Sequence, residues 1–220
     1  MSDPYDVVRF DELDRVPVGE TGLEWRPIRR RLGIRAFGTN AYTSSHVGGE
    51  VVEEHTEERL GHEEMYAVVR GHATFHLGDG DVDAPAGTLV FIRDPALKRR
   101  ATALEADTLV LAVGGKPGEP FTASPWESWF AVTPLVREGR YDEAIAEMNA
   151  DADEHGDHPG WLYNRARFEA LAGRNDDAIA DVARAIEIDD WFRGIAREDD
   201  HFASLRDDER FSAVLERPST

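Results

Sequence analysis

The second half of the chain repeats itself with an offset of 34 residues. The segment GRYDEAIA at 139–146 returns as GRNDDAIA at 173–180, and 173 − 139 = 34. A period of this length is typical of stacked helical hairpins, in which each repeat is one helix, a turn and a second helix. One such pair cannot bury its apolar face alone and must stack on a neighbour. The repeat therefore constrains this half of the chain to helical hairpins.

Two residue types inside the repeat have mechanical roles that fit helical hairpins. Gly139 and Gly173 stand where the first helix of each pair should end, and many helices end on a residue in the left-handed conformation. Ala144 and Ala178 lie early in the second helix, where a small side chain allows close approach to the first. On these residues the segment resembles the tetratricopeptide repeat family.

The resemblance to tetratricopeptide repeats implies further positions. Ala166 and Ala185 occupy the family's other small positions, whereas Asp151 stands where a small residue is expected and Asp190 replaces the usual closing proline. Two repeats and a cap fall short of the three that usually give independent stability, so we expect this half to pack on the first half or on a second subunit. We predict four helices and then a capping segment, near residues 126–138, 141–154, 160–172, 175–188 and 201–215.

The first half of the chain is punctuated differently. Strands at close spacing, broken by Gly, Pro, Asn or Asp, predict an antiparallel sandwich or barrel. Residues 114–125 hold three Pro and three Gly and indicate a linker. The sequence thus predicts an α+β chain with a strand domain at 1–115, a linker at 116–125 and a helical domain at 126–217. The short apolar or alternating runs on which the strand prediction rests are residues 32–37, 65–69, 73–77, 88–92 and 108–113.

A motif lies within residues 48–115 of the strand region. Glu64 is followed by six residues and then Gly71, an alternating strand follows at 73–77, and Ala-Gly-Thr at 86–88 leads into another strand. The region resembles the cupin superfamily, whose members fold as antiparallel β-barrels, and more narrowly it resembles uncharacterised cupin proteins that carry a helical tail. The resemblance implies that Glu64 is an inward-facing, metal-binding carboxylate.

The resemblance to cupins also implies where further metal ligands should stand. A metal-bearing cupin has a His-x-His pair before the Glu and one later His, which hold a divalent ion with open positions for substrate. The paired positions fall on Glu58 and Leu60, and the later one falls on Lys98, so these histidines are missing. His55 and His62 flank the paired positions and are the candidates to replace the missing pair. A barrel that binds no metal is an equally open alternative. The metal set for one Fe, Mn, Ni or Zn ion is then His55, His62 and Glu64.

The competing interpretation is a polar pocket that holds a small ligand without a metal. An ammonium at Lys98 would repel a metal ion and pair with Glu64 instead. A basic cluster at the barrel mouth fits an anionic small molecule or a carboxylate, and an exposed loop that balances the acidic surface is its alternative. The predicted ligand-binding residues are His62, Glu64, Tyr66, Arg93, Lys98 and Arg99.

Histidines are concentrated in this region, because five of the eight lie between His46 and His76. If Ala73 and Phe75 point to the core, the alternation of a strand turns His72 and His76 outward. We therefore predict that His46, His72 and His76 face solvent and do not bind a metal.

Several functions remain open at this point. The first is a ligand-binding or sensing barrel whose helical tail contacts a partner protein or a second copy of the chain. The second is a metal-dependent enzyme of dioxygenase or isomerase type that uses His55, His62 and Glu64. The third is a barrel that serves only as a dimerisation platform. Cupins often pair through sheet edges, so the resemblance implies a homodimer.

Aromatic residues of the helical half are expected in its core, and a subset is a candidate lining for a peptide groove.

Composition excludes some classes of partner and site. The formal charge of −19 repels nucleic acids and anionic lipid surfaces, so Arg26 and residues 29–31 are predicted to be a solvated strand edge rather than a nucleic-acid patch. The absence of cysteine excludes disulfides and thiolate metal sites. No apolar run reaches the ~18 residues that cross a bilayer, and the acidic residues 1–14 do not resemble a secretory signal. We therefore expect a cytoplasmic protein, whose acidity reflects either a GC-rich genome or adaptation to salt.

Overall fold

The structure of the protein is a computed structural model, which describes residues 4–19 and 21–216. The chain forms two compact units, a strand unit up to Ala123 and a helical unit from Ser124. Residues 1–3, 20 and 217 of the predicted domains lie outside the described part. Across the described residues, none of the helices is both long and apolar enough to span a lipid bilayer.

The described strands form two antiparallel sheets. Each strand pairs only with antiparallel neighbours, as short turns between consecutive strands allow. In spatial order the first sheet contains β1 (Val16–Val18), β2 (Leu23–Arg26), β3 (Gly38–Ser44), β10 (Thr108–Gly115), β5 (Glu63–Arg70) and β8 (Leu89–Ile92). The second contains β4 (Glu50–His55), β9 (Arg99–Ala103), β6 (His72–Leu77) and β7 (Gly80–Pro85).

The core of the strand unit draws side chains from both sheets. Strand alternation sends every second residue inward, so Ala73 and Phe75 of β6 are buried. His76 and His72 lie on the opposite face of β6, where His76 contacts Asp81 of β7. Burial of each large apolar side chain contributes roughly 1.5–3 kcal/mol. The buried set is Val51, Val52, Tyr66, Val68, Ala73, Phe75, Ala84, Val90, Ile92, Ala101, Ala103 and Val110.

A smaller apolar cluster covers the other side of the first sheet, and it corrects two predictions. Residues 32–37 were expected to be a strand, but helix α1 (Ile28–Leu32) ends there on Gly33, whose φ of 62° is left-handed. The arginine group is not a strand edge either, because residues 29–31 lie in α1, and it is only partly solvated, because Arg31 is exposed but Arg29 is buried. Arg26 is 1% exposed and donates to the Phe10 carbonyl at 2.6 Å. Apolar contacts of Ile28 and its neighbours outweigh the charge pattern that suggested exposure.

The helical unit holds the remaining α-helices. Its largest buried side chains include Trp161, Phe202 and Met148, which belong to one apolar cluster. A 3-10 turn at Asp200–Leu205 connects the last two helices. The α-helices are α2 (Trp126–Ala131), α3 (Thr133–Arg137), α4 (Tyr141–Asn149), α5 (Ala152–His155), α6 (Pro159–Leu171), α7 (Asn175–Ile188), α8 (Trp191–Glu198) and α9 (Glu209–Glu216).

Two predicted helices are divided in the structure. The helix expected at 126–138 breaks at Val132, because Pro134 lies at the start of α3 and has no amide hydrogen to continue the α2 ladder. The helix expected at 141–154 breaks after α4, and Asp151 there accepts a hydrogen bond from Ser128 at 2.7 Å. Helix α8 was not predicted.

Both repeat glycines end their helices in the same way. Gly139 has φ 73° and Gly173 has φ 75°, which are left-handed values that favour glycine. In each case the glycine amide donates to the carbonyl three residues back, at 3.1 Å. The following amides, of Arg140 and Arg174, donate to the carbonyl five residues back at 2.9 and 2.8 Å. This pair of bonds is the Schellman motif, and it satisfies carbonyls that the helix leaves open.

The spacing of 34 residues continues beyond the two repeats seen in the sequence. Helices α4, α7 and α9 begin at residues 141, 175 and 209, so 175 − 141 = 34 and 209 − 175 = 34. Equivalent ion pairs join successive hairpins, since Arg174 contacts Asp142 and Arg210 contacts Asp176, both at 2.6 Å. The segment predicted to be only a cap, 201–215, contains α9, which forms a third helical pair with the unpredicted α8 and begins at the same spacing.

Candidate functional site

The candidate site lies where three strands bring polar side chains to one end of the strand-unit core. Glu64 and Tyr66 are alternate residues of β5 and therefore share its inner face. His55 ends β4 and Arg99 begins β9, and the register of the second sheet pairs these two residues. The fold thus brings a carboxylate, a phenol, an imidazole and a guanidinium together.

Glu64 is the centre of this group. Its Oε2 accepts a hydrogen bond from the Tyr66 hydroxyl at 2.6 Å. The Arg99 Nε and the His55 Nε2 each lie 3.5 Å from the same oxygen. The Glu64 side chain is 14% exposed and the Arg99 side chain is fully buried. A buried cation beside a carboxylate keeps that carboxylate ionised, because each charge compensates the other's lost hydration.

The His55 ring has a fixed orientation. Its Nδ1 lies 2.8 Å from the Glu53 carbonyl, and a carbonyl only accepts, so Nδ1 carries the hydrogen. In the neutral ring, Nε2 then presents a lone pair towards Glu64 at 3.5 Å and Glu57 at 3.8 Å. Three acceptors facing one another repel unless a cation lies between them. A proton on Nε2, a proton on Glu57 or a metal ion would remove this repulsion.

Glu57 completes the group from a loop just after β4. Its amide donates to the Pro95 carbonyl at 2.8 Å, and its own carbonyl accepts from the Gly61 amide at 2.7 Å. These bonds hold the loop on both sides of the residue. The Glu57 Oε2 is buried without a hydrogen-bond partner among the described residues, and the His62 Nδ1 lies 3.3 Å from it without hydrogen-bond geometry.

The acidity of the two carboxyls is pushed in opposite directions. Burial and the charge of Glu64 raise the pKa of Glu57 above its ordinary value. Burial would also raise the pKa of Glu64, but its interactions with His55 and Tyr66 and the charge of Arg99 outweigh burial and lower it. Glu64 is therefore the more firmly ionised of the two.

The pKa values of the neighbouring His55, His62 and Tyr66 side chains are also shifted. Burial would lower the pKa of His55, but interaction with Glu64 and the Glu53 carbonyl outweighs burial and raises it. Burial lowers the pKa of His62. Burial and the charge of Glu64 raise the pKa of Tyr66 well above its ordinary value, so Tyr66 remains a hydrogen-bond donor.

The three acceptors have the spacing of metal ligands. One ligand atom each from His55, Glu57 and Glu64 lies within 4.8 Å of the others, and these three form the group of His, Asp or Glu side chains within the described residues that fits a metal ion. Ligand bonds of about 2.0–2.2 Å place neighbouring ligand atoms about 3–4 Å apart. The donation of His55 Nδ1 to a carbonyl is also the usual support for a metal-binding histidine.

The structure brings some predicted residues together and separates others. His55, Tyr66 and Arg99 each approach Glu64, and His62 reaches the group through Glu57. Lys98 instead pairs with Glu54 on the exposed side, because it precedes β9 while Arg99 takes the inward position. The Arg93 guanidinium lies over the exposed Phe91 ring, 5.3 Å from its centre.

Sequence reasoning missed Glu57. The cupin resemblance points to strand positions, whereas Glu57 lies in a loop whose path depends on its bond to Pro95. The available signal was its spacing, since Glu57 stands two residues after His55. That signal is weak in a segment with several other acidic residues.

Comparison with known proteins gives likeness only at the level of solved structures. No protein-family model matches the chain, and no curated protein matches it. A structure of KdgF from Halomonas sp. is similar at 21% identity with a TM-score of 0.40, covering 47% of this chain and 86% of that one. An RmlC-like cupin from Shewanella frigidimarina has 16% identity and a TM-score of 0.40, covering 53% of this chain and 95% of that one. A sugar phosphate isomerase of the cupin superfamily from Silicibacter pomeroyi has 16% identity and a TM-score of 0.42, covering 50% and 76%. Likeness at this level does not assign a family or an activity.

Proposed function

We propose that the strand unit binds one divalent metal ion through His55, Glu57 and Glu64. The observation that carries this proposal is the position of His55 Nε2, which lies 3.5 and 3.8 Å from two carboxylate oxygens while Nδ1 is committed to a carbonyl. A mixed imidazole and carboxylate set suits Fe, Mn, Ni or Zn. The set differs from the one expected from the sequence, because Glu57 takes the place proposed for His62.

A small oxygen-bearing molecule is the ligand class that this proposal favours. Three protein ligands leave positions open on the metal, and the side chains of His55 and Glu64 are 32% and 14% exposed. A bound metal ion would polarise an oxygen of that molecule. Tyr66 and Arg99 would hold the Glu64 carboxylate in place. A reaction of dioxygenase or isomerase type belongs to this metal-bound form.

Elemental analysis tests the proposal directly. Protein stripped with a chelator, incubated with Zn²⁺ and desalted should retain close to one equivalent. His55→Ala and Glu57→Gln should lose it, because each removes one ligand. His72→Ala is the matched control, since His72 pairs with Asp83 on the other face of the sheet. Wild-type protein that retains no metal, or His55→Ala protein that retains as much as the wild type, would sink the proposal.

A second candidate function is a ligand-binding or sensing pocket without metal. The Arg99 Nη2 favours it, because this atom is buried and has no hydrogen-bond partner among the described residues. A proton on His55 would then take the place of the metal. The carboxylate of a small ligand would accept a hydrogen bond from the Arg99 Nη2. Metal-free protein should melt at a higher temperature with malonate than with an equal concentration of chloride. An unchanged melting temperature counts against this candidate.

For the helical unit we propose contact with a partner protein or with a second copy of the chain. Partly exposed aromatics support this, since Trp126 and Trp129 both pack on Phe130, with ring centres 5.4 and 6.4 Å apart. Trp191 is 66% exposed. Large exposed aromatic side chains are common at protein interfaces. Light scattering after gel filtration tests self-association, with a homodimer as the expected result and a monomer at all concentrations as the result that removes it.

A further inference from the structure

One residue outside the sheets lies against the candidate site. After β10 ends at Gly115, residues 116–123 complete the strand unit, and this segment carries Phe121. The Phe121 ring is half-buried, and its centre lies 6.2 Å from that of His62 at an angle of 37°. Ala123, at the end of the segment, is 4% exposed. Phe121 is therefore a neighbour of the group around Glu57.

Glycines form the seat on which the Phe121 ring lies. A Cβ added to Gly38 would stand 2.9 and 3.1 Å from two ring carbons, and one added to Gly115 would stand 3.8 Å from a third. Any side chain at position 38 would therefore push the ring. The seat adjoins the site, because Gly38 pairs with Gly114 of β10, and Gly114 pairs with Glu64 of β5.

We infer that Phe121 is the size-selecting residue of the metal site, forming a wall on the His62 side that admits small ligands and excludes bulky ones. This inference rests on the proposed metal-binding function. An apolar ring offers no hydrogen bond to a polar ligand and no charge to a metal, so its effect on access is steric. The ring lies between Gly38 and the His62 ring, and the His62 Nδ1 lies 3.3 Å from the Glu57 Oε2, so Phe121 flanks the ligand group on the His62 side.

Metal extraction by chelators of two sizes tests this role. Zn²⁺-loaded protein is mixed with dipicolinate, which is small and flat, or with EDTA, which is bulky, and the rate of metal loss is followed. A wall that is open in a tenth of the molecules or fewer slows bulky access by about tenfold or more. Phe121→Ala should therefore speed loss to EDTA about tenfold and leave loss to dipicolinate nearly unchanged. Gly38→Ala, whose Cβ would displace the ring and also stand 3.2 Å from the Gly114 carbonyl oxygen, should act in the same direction.

Controls separate a wall from general loosening of the fold. Thr122→Ala changes the exposed neighbour of Phe121 and should extract like the wild type. In metal-free protein, modification of His62 by diethyl pyrocarbonate should rise in Phe121→Ala and not in Thr122→Ala. Wild-type protein that binds no Zn²⁺ overturns the proposed function and the size selection with it. Zn²⁺ binding with unchanged EDTA extraction in Phe121→Ala overturns the role of Phe121 alone.

Discussion

The hydroxyl of Tyr66 donates to the Oε2 of Glu64 at 2.6 Å, although the two residues are alternate positions of one strand. Their side chains lean towards each other on the inner face of β5, so the phenol supplies a donor that the strand itself provides. Tyr66 is 1% exposed, which removes competition from water. The carboxylate is thus oriented from within its own strand before any ligand arrives.

Removing the hydroxyl should weaken the strand unit. Tyr66→Phe keeps the packing of the ring but leaves the Glu64 oxygen without its shortest bond. A hydrogen bond to a charged group contributes about 1.5–3 kcal/mol, and we expect a loss of that size in the free energy of unfolding. Hydrogen exchange of peptides that cover residues 63–70 measures it locally. Tyr5→Phe, at a side chain 72% exposed, is the control, and equal exchange in both variants would contradict the prediction.

Two neighbouring glycines of β10 should differ in their effect on the metal site. A Cβ on Gly114 would stand 3.0 Å from the Glu63 carbonyl oxygen and 3.1 Å from the Cγ of Glu64, so Gly114→Ala should displace the carboxylate. We expect Zn²⁺ affinity to fall about tenfold, as when a residue that supports a metal ligand is lost. Titration calorimetry measures the affinity. Gly115→Ala is the control, because its nearest contact, at 3.8 Å to Phe121, is ordinary.

Parts of the strand unit followed from the sequence because alternation is a local property. The burial of Ala73 and Phe75 needs only a strand with one inner face. The sequence also predicts that a basic residue lies near Glu64. Which residue it is depends on the pairing of β9 with β4, and this register turns Arg99 inward and Lys98 outward. The sequence of one strand does not determine its register with a strand that is distant along the chain.

The third helical pair was missed for a different reason, because its sequence no longer carries the residues that mark the repeat. The period of 34 residues places a counterpart of Gly173 at residue 207, but Asp207 stands there, and Ser212 replaces the alanine of Ala178. The signature is therefore lost while the helix still begins on the expected residue. Packing of Phe211 and Val214 on the cluster of the preceding hairpins keeps the spacing.

A buried carboxyl should make the stability of the helical unit depend on pH. Burial, and then the charge of Asp181, raise the pKa of Glu169 from 4.5 to about 7. The folded state then holds a proton that the unfolded state has released between these values, so stability falls as the pH rises from about 4.5 through 7. The full shift corresponds to roughly 3 kcal/mol. Glu169→Gln should remove this dependence.

Urea unfolding at several pH values between 5 and 8 measures the effect. Tryptophan fluorescence reports mainly the helical unit, because four of the five tryptophans lie in it. The wild type should lose stability relative to Glu169→Gln as the pH rises. Glu198→Gln, at an exposed position of α8, is the control and should follow the wild type. Parallel curves for Glu169→Gln and the wild type would rule out the buried titration.

Arg99 and Glu64 should be energetically coupled. Each single substitution should therefore destabilise the protein by more than the net contribution of the ion pair. The Arg99 side chain is fully buried and its Nε lies 3.5 Å from the Glu64 Oε2, so removing either partner leaves the other charge buried. Such a loss destabilises by about 3–5 kcal/mol. Arg99→Met combined with Glu64→Gln removes both charges and should cost less than the sum of the two single changes, by about 0.5–3 kcal/mol.

Hydrogen exchange of residues 63–70 in the four proteins completes this cycle. Arg15→Met with Glu24→Gln is a matched comparison, because that ion pair is 3.2 Å long but 44% and 21% exposed. Exposed pairs contribute about 0–1 kcal/mol, so its coupling should be smaller. Additive losses at Arg99 and Glu64 would mean that the guanidinium does not compensate the carboxylate. The carboxylate would then be held by Tyr66 and His55 alone, and Arg99→Met should leave Zn²⁺ affinity unchanged.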